Sequence, residues 1–196
     1  MSSDDPERIN DAIREAIRRA RGYADFFGWT PNRDLEEQGV LTSLAESLEA
    51  DASLFFSAIS IRGRGNDPPD LEAFDSSGSR IAFEVTELVD GQAIQAFKNG
   101  RPYDFAEWDQ QKFLSALGSL LNGKNDRFHK LKGSPYPGGY LVVVFTDEAA
   151  LPSSVVESYL QGHTFAGLTN IDRAFLLLSY DPTVERCPYF ELAKDG

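Results

Sequence analysis

Apolar residues recur every three or four positions over some stretches of the chain and bunch into short runs elsewhere, and the two patterns separate helices from strands. Ile9, Ile13, Ile17 and Ala20 follow the acidic start Asp4-Asp5-Pro6-Glu7, which predicts an N-terminal helix ended by Gly22 and Gly28. Leu41, Leu44, Leu48, Phe55 and Ile59 predict a second helix over Leu35–Ile61, with a break near Ala50-Asp51. Arg62 to Pro69 reads as a loop. Asp70 to Leu88 predicts a β-hairpin that turns at Ser76-Ser77-Gly78-Ser79. Val89 to Lys98 reads as a short helix or a loop, and Ala106 to Leu131 as a long helix with weak points at Gly118 and Gly123. The runs Tyr140–Phe145 and Ile171–Tyr180 predict buried strands. Pro152 to Gln161 reads as a short helix between them, and Tyr189 to Leu192 as an edge strand.

Strands alternating with helices predict an α/β domain with a mixed sheet flanked by helices. With 196 residues, the expectation is a helical extension over residues 1–34 and one globular unit over residues 35–196. No apolar run approaches the roughly 18 residues that span a bilayer. The polar, acidic start is unlike a signal peptide. A single cysteine, Cys187, excludes an internal disulfide and a cysteine-cluster metal site, and only two histidines leave little for a zinc site. A reducing, cytoplasmic setting is the expectation.

The net charge of −12 argues against a general nucleic-acid coat, since phosphate neutralisation supplies most non-specific affinity. The positive charge is nevertheless gathered in one segment. Lys98, Arg101, Lys112, Lys124, Arg127, Lys130 and Lys132 face only Asp104, Glu107, Asp109 and Asp126 between Lys98 and Lys132.

Two charged residues stand where apolar ones are expected. In the strand from Arg80 to Glu87, side chains alternate between faces, so Ile81, Phe83 and Val85 share one face and Ala82, Glu84 and Thr86 the other. Glu84 then lies within an apolar strand, where a carboxylate needs a partner or a cation. A hairpin brings Asp70 to the same end of the sheet, and two converging carboxylates suit magnesium or manganese. A polar hairpin with Glu84 paired to an arginine is the plain alternative. In the long helix, Leu114, Leu117, Leu121, Phe128 and Leu131 form a stripe that includes Lys124. That lysine either snorkels to the helix edge or reaches a carboxylate.

Pro69-Asp70 on one strand, Glu84-Val85-Thr86 on the next, a long helix carrying Lys124, and the apolar strand ending at Thr146-Asp147 together resemble the PD-(D/E)XK, restriction-endonuclease-like nuclease superfamily over about Leu41 to Asp147. The resemblance implies a restriction-endonuclease-like sheet and a magnesium- or manganese-dependent phosphodiester hydrolase. Asp70, Glu84 and the Val85 carbonyl would hold the metal. The family's lysine position is Thr86 here, and Lys124 is the candidate replacement. Glu46, with Glu49 second, matches the acidic residue that members carry on the helix before the hairpin. The implied partner is nucleic acid, DNA ahead of RNA, met by Lys112, Arg127, Lys130, Arg62 and Arg64, with a partner protein or a second copy assisting.

Arg62 and Arg64 are equally members of a solvated loop. A second class of function also stays open: a non-catalytic interaction protein that kept the fold after losing the motif lysine. An acidic nucleic-acid mimic is the third reading of the charge.

Overall fold

The computed structural model describes residues 32–63, 65–101 and 107–194. The expected N-terminal helix lies outside the described residues. The first described helix, α1 (Arg33–Ala50), starts at Asn32, whose side-chain oxygen accepts the Asp34 N–H at 3.1 Å. It is followed by β1 (Phe56–Ile61), β2 (Leu71–Asp75), β3 (Arg80–Glu87), α2 (Gly91–Lys98), α3 (Gln110–Arg127), a 3-10 turn at Phe128–Lys130, β4 (Tyr140–Thr146), α4 (Ser153–Leu160), β5 (Arg173–Leu178) and β6 (Tyr189–Lys194). Among the described residues no helix is long and apolar enough to cross a membrane.

The six strands form one mixed sheet in the order β1-β2-β3-β4-β5-β6. β1, β2 and β3 make an antiparallel meander, β3, β4 and β5 run parallel, and β6 returns antiparallel. Every residue of β4 is buried, as expected of a central strand covered on both faces. On one face Val40, Leu41, Leu44 and Leu48 of α1 pack against Ile81, Phe83, Val85, Leu141, Val143 and Phe175. On the other, Phe113, Leu117 and Leu121 of α3 and Val156 of α4 pack against Ala82, Tyr140, Val142, Val144 and Leu176. The α/β expectation, with a mixed sheet flanked by helices, is met.

The expected second helix is helical as far as Ala50 and becomes a strand from Phe56. The chain leaves α1 through a tight turn in which the Ser53 N–H reaches the Leu48 carbonyl at 2.8 Å and Ala52 takes a left-handed φ of 52°. It then becomes β1. Phe55 and Ile59 misled the pattern because a spacing of four suits both periods: it is near one helical turn and also an even number of strand steps. The long helix starts at Gln110 instead of Ala106, with the Asp109 side chain accepting the Lys112 N–H at 2.7 Å, and its α-helical part ends at Arg127. It runs through Gly118 and Gly123 without a break. Val89 to Lys98 contains a helix, α2.

Replacing Asp109 with Ala removes this cap. Stability measured by urea unfolding is expected to fall by about 1 kcal/mol, with the sheet intact by circular dichroism.

Candidate functional site

Antiparallel pairing sets Leu71 against Phe83, so Asp70, one residue earlier, arrives opposite Glu84. Both carboxylates are buried, Glu84 to 1% exposure and Asp70 to 5%. Glu84 projects to the α3 side of the sheet, the face it shares with Ala82. From α3, Lys124 enters the same point at 8% exposure, within the stripe of Leu117 and Leu121. Its ammonium forms a short contact with Glu84 Oε2, donates to the Val85 carbonyl at 3.2 Å and lies 3.9 Å from Asp70 Oδ2. The Val85 N–H donates to Asp70 Oδ2 at 2.8 Å. The Tyr140 hydroxyl, beneath the pair, donates to the Lys124 carbonyl at 3.2 Å. Burial, then the Glu84 charge, raises its pKa, so the phenol stays neutral.

Asp70 is also approached from α1. Arg33 donates Nη2 to Asp70 Oδ1 at 3.2 Å and Nε to Glu37 Oε1 at 2.5 Å. Arg33, Asp34, Glu37, Gly63, Asp67 and Asp70 line a small cleft there. Burial pushes the Asp70 carboxyl up, and the Lys124 charge and the Val85 N–H pull against it. Glu37 is pushed up to about 7, first by burial and then by the Asp70 charge, with Arg33 opposing.

Three of the expected residues therefore meet: Asp70, Glu84 and Lys124, with the Val85 carbonyl beside them. Glu46 does not. It is exposed, nine residues beyond Glu37 and thus on the order of 13 Å farther along α1. Its charge acts on Cys187, whose thiol is raised by burial first. The α1 carboxylate beside Asp70 is Glu37. The rule that exposed Lys124 also finds Glu37, because it precedes Val40, Leu41 and Leu44 on one helical stripe. Arg33, one turn earlier, was equally missed.

The basic residues divide. Lys112 lies twelve residues before Lys124, on the order of 18 Å along α3. It donates to Asp90 Oδ2 at 2.9 Å and to the Glu107 carbonyl at 3.0 Å, with its ammonium 4.6 Å from the Trp108 ring centre. It is thus held at the opposite end of the helix from the site. Arg62 pairs with Glu72 at 2.6 Å and donates to the Lys132 carbonyl at 3.2 Å. Glu72 also accepts from Arg80 and Tyr136, so Arg62 is tied into a network on the sheet. Arg64 lies outside the described residues. Arg127 and Lys130 are exposed just past Lys124. The segment after them is docked on the loop that delivers Asp70: the Lys132 N–H reaches the Pro68 carbonyl at 2.7 Å.

The groups around the Lys124 ammonium are all oxygens: two carboxylates and one carbonyl. Among the described residues no group of three or more His, Cys, Asp and Glu side chains is placed to hold a metal ion. Magnesium, however, is commonly held by one or two carboxylates, completed by water and phosphate. Glu84 Oε1 is buried without a hydrogen-bond partner among the described residues, a position that calls for a further donor or a cation. The donor set fits a hard divalent ion.

Lys124→Met leaves two buried carboxylates facing an apolar side chain. It is expected to cost about 3–5 kcal/mol in urea unfolding, and adding Glu84→Gln should recover much of it. Glu37 carries a pH signature. Its folded value of about 7 lies above the ordinary 4.5, so the folded state binds more protons between them. Stability contributed at this group falls as pH rises through that window and levels off above it. Glu37→Gln is expected to flatten that part of the melting-temperature profile, measured by calorimetry in chelator. Searches of protein-family models, curated proteins and solved structures found no match to this chain.

Proposed function

We propose that this protein is a divalent-metal-dependent nuclease of restriction-endonuclease-like fold, hydrolysing phosphodiester bonds in DNA. One observation carries the reading: Asp70, just before β2, and Glu84 of β3 converge with the Val85 carbonyl on a lysine supplied by α3. The element order supports it, with a helix, a three-stranded meander, a helix and a parallel strand running from α1 to β4.

Asp70, Glu84 and the Val85 carbonyl are the groups that would hold the ion. A divalent ion there supplies, when bound, the charge that acidifies water and polarises a phosphoryl oxygen. Lys124 contributes a fixed positive charge where negative charge develops on the phosphoryl group, and its N–H groups orient the attacking water. The stripe of Leu117 and Leu121 and the core beneath Tyr140 hold that lysine in place, which limits the reorganisation the reaction requires. Exposed Arg127 and Lys130 offer phosphate contacts beside the cleft. Thr86, at the family's lysine position, has no charge to offer, and Lys124 takes over that role from the neighbouring helix.

A second reading, a non-catalytic interaction protein, is favoured by one feature: the carboxylates are already neutralised by the protein's own Lys124 and Arg33. Metal-dependent cleavage separates the two. Asp70→Asn and Glu84→Gln retain shape and are expected to reduce magnesium- or manganese-dependent cleavage of a mixed DNA panel by at least about 100-fold. Lys124→Gln should do the same with metal binding retained. Cleavage at the wild-type rate in both carboxylate variants would overturn the nuclease reading. The isosteric variants are the informative ones, since Glu84→Ala opens a cavity around an unpaired buried lysine.

A further inference from the structure

Asp70 is held between two cations of different character. Lys124 reaches its Oδ2 side from the core and is 9% exposed, fixed by α3. Arg33 reaches Oδ1 from the first turn of α1, with its side chain 58% exposed. The same guanidinium clasps Glu37. Among the described residues, the cleft around it has four carboxylates, from Asp34, Glu37, Asp67 and Asp70, and one guanidinium, Arg33. Such a mouth repels a phosphate diester and attracts a cation.

We propose that Arg33 is a displaceable placeholder: its guanidinium, which pairs with Asp70 and Glu37, competes with a divalent ion for Asp70, is driven out by that ion, and then binds the substrate phosphate at the same mouth. This rests on the nuclease reading and assigns Arg33 as a substrate-positioning residue. The physical reason is competition between like charges. A divalent ion on Asp70 stands within a few ångströms of where the guanidinium now lies, and only the exposed partner has room to leave. Arg33 is anchored by its backbone at the first position of α1, so a guanidinium displaced from Asp70 stays at the cleft. Its fork of N–H donors matches phosphate oxygens as well as carboxylates. A bound divalent ion would thus offset most of the negative charge of the mouth, and DNA binding becomes dependent on the ion.

The test compares the full chain with Arg33→Gln and Arg33→Lys. Manganese affinity is read by calorimetry without DNA, and binding of a fluorescein-labelled DNA duplex is read by anisotropy in calcium and in chelator. Removing the competing charge is expected to tighten manganese binding by about tenfold or more. The same change is expected to weaken calcium-dependent DNA binding by about tenfold, since a charge-assisted contact to phosphate is lost. Arg33→Lys keeps the charge and should leave manganese affinity near the wild-type value. A merely structural role does not improve the binding of one ligand while harming the other. Manganese affinity in Arg33→Gln equal to or below that of the wild type overturns the placeholder role and leaves the nuclease reading standing. No manganese binding by the wild type or either variant overturns the nuclease reading, and the placeholder role with it.

Discussion

The contact between Lys124 and Glu84 is the constraint around which the rest of this structure is arranged. A carboxylate on the covered face of a central strand cannot be left alone, because its desolvation costs several kcal/mol. The helix packed over that face must therefore bring a cation to one point, within a few tenths of an ångström. That requirement sets the rotation of α3, with Phe113, Leu117 and Leu121 on the sheet and Lys124 in line with them. It also sets the register of β2 against β3, since Asp70 shares the same cation. A slip of one residue in that hairpin would carry Asp70 away from Lys124 and turn every β2 side chain to the opposite face.

The burial of these charges bears on function as well as on folding. Well-packed apolar residues of similar volume would hold α3 to the sheet at least as well. An ionic cluster costs stability and therefore needs a reason. In the proposed nuclease the reason is chemical: the oxygens that converge on the ammonium are of the kind a divalent ion uses, and the lysine would act on a phosphate beside it. The second cation, Arg33, continues this logic to the surface. The positive charges run from a buried lysine to an exposed arginine, with Asp70 between them.

Much of the site was legible because charge interrupted periodicity. Glu84 stood out within an apolar strand and Lys124 within an apolar helical stripe, and the structure joins them. Glu37 carries the same signal on α1 but is one residue amid Glu36, Asp34 and the later Glu46 and Glu49, so local acidity masked it. Lys112 and Lys124 belong to the same basic segment, yet they stand at opposite ends of α3 with different partners. Charge counted along a chain does not distinguish the two ends of a helix. The strand β1 was hidden for a related reason: Phe55, just before it, and Ile59 within it are spaced by four, which both helix and strand accept.

The sequence by itself determined the class of fold, the central strands, the face on which Glu84 lies and the presence of a cation within the α3 stripe. These follow from local rules: side-chain periodicity, turn composition and the cost of an unpaired buried charge. The tertiary structure alone decided that Glu37 and Asp70 share Arg33, that Glu46 is remote, and that Arg62 is committed to Glu72. Those pairings depend on strand order and on how α1 crosses the sheet. They join residues tens of positions apart, such as Arg33 and Asp70, through distances that no local pattern encodes.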